Sequence, residues 1–123
     1  MKLRFRKDSL RLRINQREVE TLAAGSALEE RVHFPGGASL AYILEAASGS
    51  VPSARYEGGT IRVSAPSGEV ARWAASDEIG LYFEIDANKS SLKVAIEKDL
   101  VCIDGPEEEQ DPEAFPRMET ARC

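Results

Sequence analysis

Cysteine and histidine are scarce in this 123-residue chain: Cys102, Cys123 and His33 are all it has of either. A disulfide scaffold needs more cysteines and an export signal, so that class is excluded and reduced thiols in a cytoplasmic protein are the expectation. One histidine leaves the chain poor in the usual zinc ligands. No apolar run approaches the roughly 20 residues of a membrane-spanning helix. The N-terminus, Met-Lys-Leu-Arg-Phe-Arg-Lys, alternates charged with apolar residues and has no signal-peptide core. What is present is ordinary for a globular protein, with 42% hydrophobic and 30% charged residues. The length fits one domain, or one domain with a tail.

Charge is laid out unevenly. The net charge is −5, yet residues 1–17 carry a local balance of +6 and residues 97–123 one of −6. A basic start and an acidic end of equal size imply attraction within the molecule or opposite roles toward a partner.

A self-comparison at an offset of 51 residues aligns 3–28 with 54–79 without a gap and gives six identities in 26 positions, including Arg4/Arg55, Arg11/Arg62 and Val19/Val70. Chance at average composition would give about two. Further positions keep their type: Phe5/Tyr56, Leu12/Val63, Leu22/Trp73 and Leu28/Ile79. With one deletion the match resumes as Leu44-Glu45 against Ile96-Glu97. This is read as duplication and fusion, with halves at 1–50 and 51–103.

Each half reads as strand, strand, helix, strand, strand. Leu3 and Phe5 alternate with Lys2, Arg4 and Arg6, and Leu10, Leu12 and Ile14 alternate with Ser9, Arg11 and Arg13. Asn15 with Glu18 three residues on is a capping-box signal, Val19, Leu22 and Ala23 follow helical spacing, and Gly25 ends the helix. Leu28 to Phe34 and Leu40 to Ala47 form a hairpin across Pro35-Gly36-Gly37. In the second half, Ala54 to Glu57 pairs with Thr60 to Ala65 across Gly58-Gly59. A short helix follows through Trp73, and Ile79 to Ile85 with Leu92 to Ile96 closes the unit. The expected fold is α+β and mostly β, a duplicated ββαββ unit with pseudo-twofold symmetry. It forms one barrel-like or two-sheet domain over residues 1–103, since a unit of about 50 residues buries little core alone. Residues 104–123 form an acidic, proline-containing tail, with Phe115 and Pro116 able to anchor it.

Two resemblances follow from these residues. The stretch SLRLRINQREVETLAAGSALEERVHF resembles the swapped-hairpin barrel unit of the AbrB-like transition-state regulators and antitoxins. Ile14-Asn15 stands where that family has Ile-Pro, and Ala65-Pro66 keeps the proline. That resemblance implies a barrel completed by two units and DNA contacts from arginines of the N-terminal hairpin. The stretches MKLRFRKDSLRLRINQREVE and VAIEKDLVCIDGPEEEQDPEAFP, with the length between them, are similar to a family of small uncharacterised bacterial proteins, which implies no activity.

The candidate binding residues are Arg4, Arg6, Arg11 and Arg13, with Arg55 and Arg62 in the second half, because cations two apart on a strand gather on one surface. Glu57 and Ser64 replace Arg6 and Arg13 in the second half, and the chain is acidic overall, which argues against duplex binding. The bland alternative is an outer sheet face covered by ion pairs. Glu107 to Asp111 are placed to compete for the basic hairpin. Cys102, Asp104, Glu108, Asp111 and Cys123 fit no metal loop, so no metal is assigned. Glu97, Lys98 and Asp99 offer acid and base types beside Cys102, but no histidine stands with them. Trp73 is read as a core residue. The expectation is a cytoplasmic, non-catalytic binding or interaction protein, a monomer or homodimer without cofactor. It would take an anionic ligand or partner on the basic N-terminal hairpin. An AbrB- or antitoxin-like DNA-binding regulator and an enzyme are the alternatives.

Overall fold

Among the described residues, alternation of apolar and polar residues produces eight strands, and two short amphipathic runs produce two helices. In this computed structural model, which describes residues 1–100 and 113–115, the order is β1 (Lys2–Arg6), β2 (Ser9–Ile14), α1 (Gln16–Ala23), β3 (Leu28–His33), β4 (Ser39–Ala47), β5 (Ser53–Glu57), β6 (Thr60–Pro66), α2 (Ser67–Ala74), β7 (Gly80–Asp86) and β8 (Ser91–Lys98). A 3-10 turn at Pro35–Gly37 joins β3 to β4. The Gly58-Gly59 turn has both residues at positive φ, +56° and +74°, the geometry that suits a two-residue hairpin connection.

The strands form two four-stranded sheets, ordered β1-β2-β8-β7 and β3-β4-β6-β5. The β1-β2 hairpin therefore lies beside the β7-β8 hairpin, and the β3-β4 hairpin beside the β5-β6 hairpin. The joins are parallel, β2 to β8 and β4 to β6, while all hairpin pairings are antiparallel. Among the described residues no hydrogen-bonded ladder links the sheets, so the architecture is the two-sheet arrangement and not a closed barrel, with β1, β7, β3 and β5 as edge strands.

The core lies where both sheets and both helices meet. Leu12, Ile14, Leu22, Leu44, Val63, Val70, Trp73, Val94 and Ile96 are its largest fully buried side chains. Helix α1 begins with a complete capping box: Asn15 Oδ1 accepts from the Glu18 N–H at 2.9 Å, and Glu18 Oε1 accepts from the Asn15 N–H at 3.0 Å. It buries Val19 and Leu22, and α2 buries Val70 and Trp73, the residues matched to them at the offset of 51. One match shifts. Leu28 faces Leu44, but its counterpart facing Ile96 is Leu81 rather than Ile79. Two more residues separate α2 from that position, and they leave Ile79 outside β7, exposed.

Residues 113–115 return to the body of the protein. The Gln16 N–H donates to the Glu113 carbonyl at 2.9 Å, and the Phe115 N–H donates to the Asp99 carbonyl at 2.6 Å. Phe115 packs against the core, as the anchoring role requires. Pro116, Cys102, Cys123, Asp104 and the acidic stretch Glu107 to Asp111 lie outside the described residues. At the other end, the Met1 amino group donates to Glu18 at 2.7 Å and Glu30 at 3.3 Å, which fixes the start of β1 to α1 and β3.

Candidate functional site

The register of the β1-β2-β8-β7 sheet dictates its outer face. Strand parity sends Leu3, Phe5, Leu10, Leu12 and Ile14 to one side and the arginines to the other. The cross-strand rows on the outer side run Lys2–Arg13–Glu97–Gly80, Arg4–Arg11–Ala95–Tyr82 and Arg6–Ser9–Lys93–Glu84. Charge is graded across the sheet: basic on β1 and β2, mixed on β8, acidic on β7.

Glu97 organises the middle of this face. Its Oε1 accepts an ion pair from Arg11 Nε at 3.1 Å, and its Oε2 accepts the Tyr82 hydroxyl at 2.7 Å. Burial, with the hydrogen bond to Glu97 and its charge, pushes the Tyr82 phenol up to about 12 from 10.0, while Arg11 opposes the shift. The ring reaches Glu97 by crossing Gly80. A Cβ on Gly80 would stand 2.7 Å from the Tyr82 hydroxyl oxygen and 2.8 Å from Cζ, so only glycine leaves the space. Ala95 is short between Arg11 and Tyr82. Over it lies an open depression of about 450 Å³, whose polar rim includes Ser9, Arg11, Tyr82, Glu84 and Lys93.

Four of the six candidate arginines come together here. Arg11 is taken by Glu97, whereas Arg4, Arg6 and Arg13 have no ion pair among the described residues. Lys2, in the same row as Arg13, bonds Asp99 at 2.8 Å. The other two arginines sit apart, on the β3-β4-β6-β5 sheet. Arg55 faces Arg62 across the β5–β6 pair. Arg62 is bound by Glu45 at 3.0 Å, and Glu45 also accepts from Ser64 at 2.8 Å. Arg11–Glu97 and Arg62–Glu45 thus join residues matched between the halves, each across a parallel strand pair. Arg11 and Arg62 tie strands together, whereas Arg4 and Arg55, which are also matched, make no ion pair among the described residues, and neither do Arg6 and Arg13.

The candidate acid–base group is dispersed. Lys98 is buried, donates to the Ser76 carbonyl beyond α2 at 2.7 Å, and lies over the rings of Trp73 at 5.5 Å and Phe115 at 5.4 Å. Asp99 is buried against Lys2, and Glu97 faces the opposite side of the sheet from Lys98. His33 is exposed at the end of β3. Among the described residues, no three His, Cys, Asp or Glu side chains could hold a metal ion, and no helix is long and apolar enough to cross a membrane.

Sequence reasoning missed Tyr82, Glu84 and Lys93. Their alternation was visible, but the parallel join that brings them beside the basic hairpin was not.

No curated protein and no solved structure matches the chain. A family model described as a family of unknown function (DUF7009) matches residues 1–119. With nearly its whole length covered, the chain belongs to the DUF7009 family of unknown function.

Proposed function

We propose that this protein is a non-catalytic binding module whose ligand or partner is anionic and docks on the outer face of the β1–β2 hairpin. The carrying observation is the set Arg4, Arg6 and Arg13: outer-face residues of adjacent strands, one in each of the three cross-strand rows, lacking ion pairs among the described residues. Each unneutralised guanidinium group suits a carboxylate or phosphate bound in bidentate fashion. Arg11 contributes through its position beside the depression, held there by Glu97. Arg55 and Arg62 make a separate and weaker surface, because Glu45 already occupies Arg62.

Titration with inorganic polyphosphate tests this reading. Binding should weaken with salt, and replacing Arg4, Arg6 and Arg13 together by Gln should lower affinity about tenfold or more, whereas Arg55→Gln should change it little. Salt-insensitive binding, or binding that survives the triple replacement, would count against the site.

The second reading is a DNA-binding regulator of the AbrB-like kind. It is favoured by one observation, the pairing of each half's first hairpin with the other half's second. It requires a duplex to bind more tightly than a single strand or polyphosphate, against a net charge of −5.

A further inference from the structure

We propose that the outer edge of β1 along Leu3 to Arg6 receives an extended polypeptide segment in which acidic residues alternate with apolar ones, added to the sheet as a further strand. This rests on the reading that the basic hairpin takes an anionic partner, and it names the chemistry of that partner. Among the described residues β1 has a neighbouring strand on one side only, β2, so the backbone groups of Leu3 to Arg6 along its other side lack a ladder. Its two faces differ. Lys2, Arg4 and Arg6 form a row of one sign on the outer side, and Leu3 and Phe5 lie on the inner side, with Phe5 56% exposed. An incoming strand sets each side chain about 5 Å from the residue opposite. Acids at alternate positions would then meet Arg4 and Arg6, and the apolar residues between them would cover Phe5.

Charge on an edge normally keeps other strands away. A row of a single sign does so selectively, because it repels basic strands and strands that would bury an arginine unpaired, and admits acidic ones. The remaining edges lack this row. β5 presents Ser53, Arg55 and Glu57 outward, and β3 presents Glu29, Arg31 and His33. A phosphate or nucleic acid would satisfy the arginines from the outer face and leave both Phe5 and the backbone edge unmet.

The test uses the full chain, with amide shifts and hydrogen exchange read along β1. The probe is a short alternating Glu–Val peptide. Its counterpart N-methylated on alternate residues, a Lys–Val peptide and inorganic polyphosphate serve as controls. The Glu–Val peptide should shift and protect amides of Leu3 to Arg6, and the N-methylated form should bind about tenfold more weakly or worse. Arg4→Glu with Arg6→Glu should exchange preference from the Glu–Val to the Lys–Val peptide; both side chains are exposed, and circular dichroism checks that the fold is kept. Phe5→Ser should weaken the peptide and leave polyphosphate unchanged. Equal binding of the N-methylated peptide would overturn strand addition while the anion-binding face stands. Failure of peptide and polyphosphate alike would sink both. Self-association with rising concentration, abolished by Glu84→Lys with Asp86→Lys, would assign the edge to the acidic β7 of a second copy and overturn the peptide partner.

Discussion

Arg11 and Arg13 are two residues apart on one strand and share a face, yet they have different roles. Arg11 reaches Glu97, which also receives Tyr82, and so belongs to a fixed polar chain across three strands. Arg13 lies directly opposite Glu97 in the register but has no ion pair among the described residues. The Tyr82 hydrogen bond makes a pH prediction. Because the folded phenol is raised to about 12 above its usual 10.0, its stabilising contribution is whole below pH 10.0 and is lost as pH rises through 12. Glu97→Ala should bring the Tyr82 transition back down, measured as the difference in phenolate absorbance between each protein and its Tyr82→Phe version. An unchanged transition would show that burial alone holds it. Gly80→Ala should displace the ring and lower the transition in the same assay, since the added methyl takes the space of the Tyr82 ring.

Helix α1 shows how far local chemistry goes at the scale of an element. Eight residues are too few for a stable isolated helix. The capping box satisfies N–H groups at its start, and burial of Val19 and Leu22 holds it on the core. Asn15→Ala should cost about 1 kcal/mol in chemical denaturation, the usual loss for a side-chain cap. Pro66 precedes α2 without a side-chain cap bond, and that helix depends more on Trp73, which is fully buried. Trp73→Ala should accordingly cost about 3–5 kcal/mol, several times the loss of the cap. The α1 capping residues, the hairpin turns and most strand faces were legible in the sequence, because each is set by residues within a few positions of one another, whereas the start of β7 was not, Leu81 taking the place expected for Ile79.

The whole molecule is held by pairings between distant strands. β2 needs β8, and β4 needs β6, before either sheet is complete. Both sheets and both helices then contribute to one core. This exchange implies shared cooperativity: Leu12→Ala, in the β1-β2-β8-β7 sheet, should lower stability by about 2–5 kcal/mol. It should also reduce amide protection in β4 and β6 of the other sheet to the same extent. Hydrogen exchange resolved by residue checks this, and a loss confined to the mutated sheet would show that the sheets open separately.

The sequence by itself determined which side chains turn inward, where the helices start, and that the arginines of β1 and β2 share an outer face. These follow from the two-residue period of a strand and from capping chemistry, both local. Only the tertiary structure decided that the sheets stay separate, that Glu97 comes to Arg11 and Glu45 to Arg62, and that Tyr82 and Lys93 join the basic hairpin. Parallel partners more than 80 residues apart, such as Leu10 and Val94, are chosen by closure around the common core, and no local pattern encodes that choice.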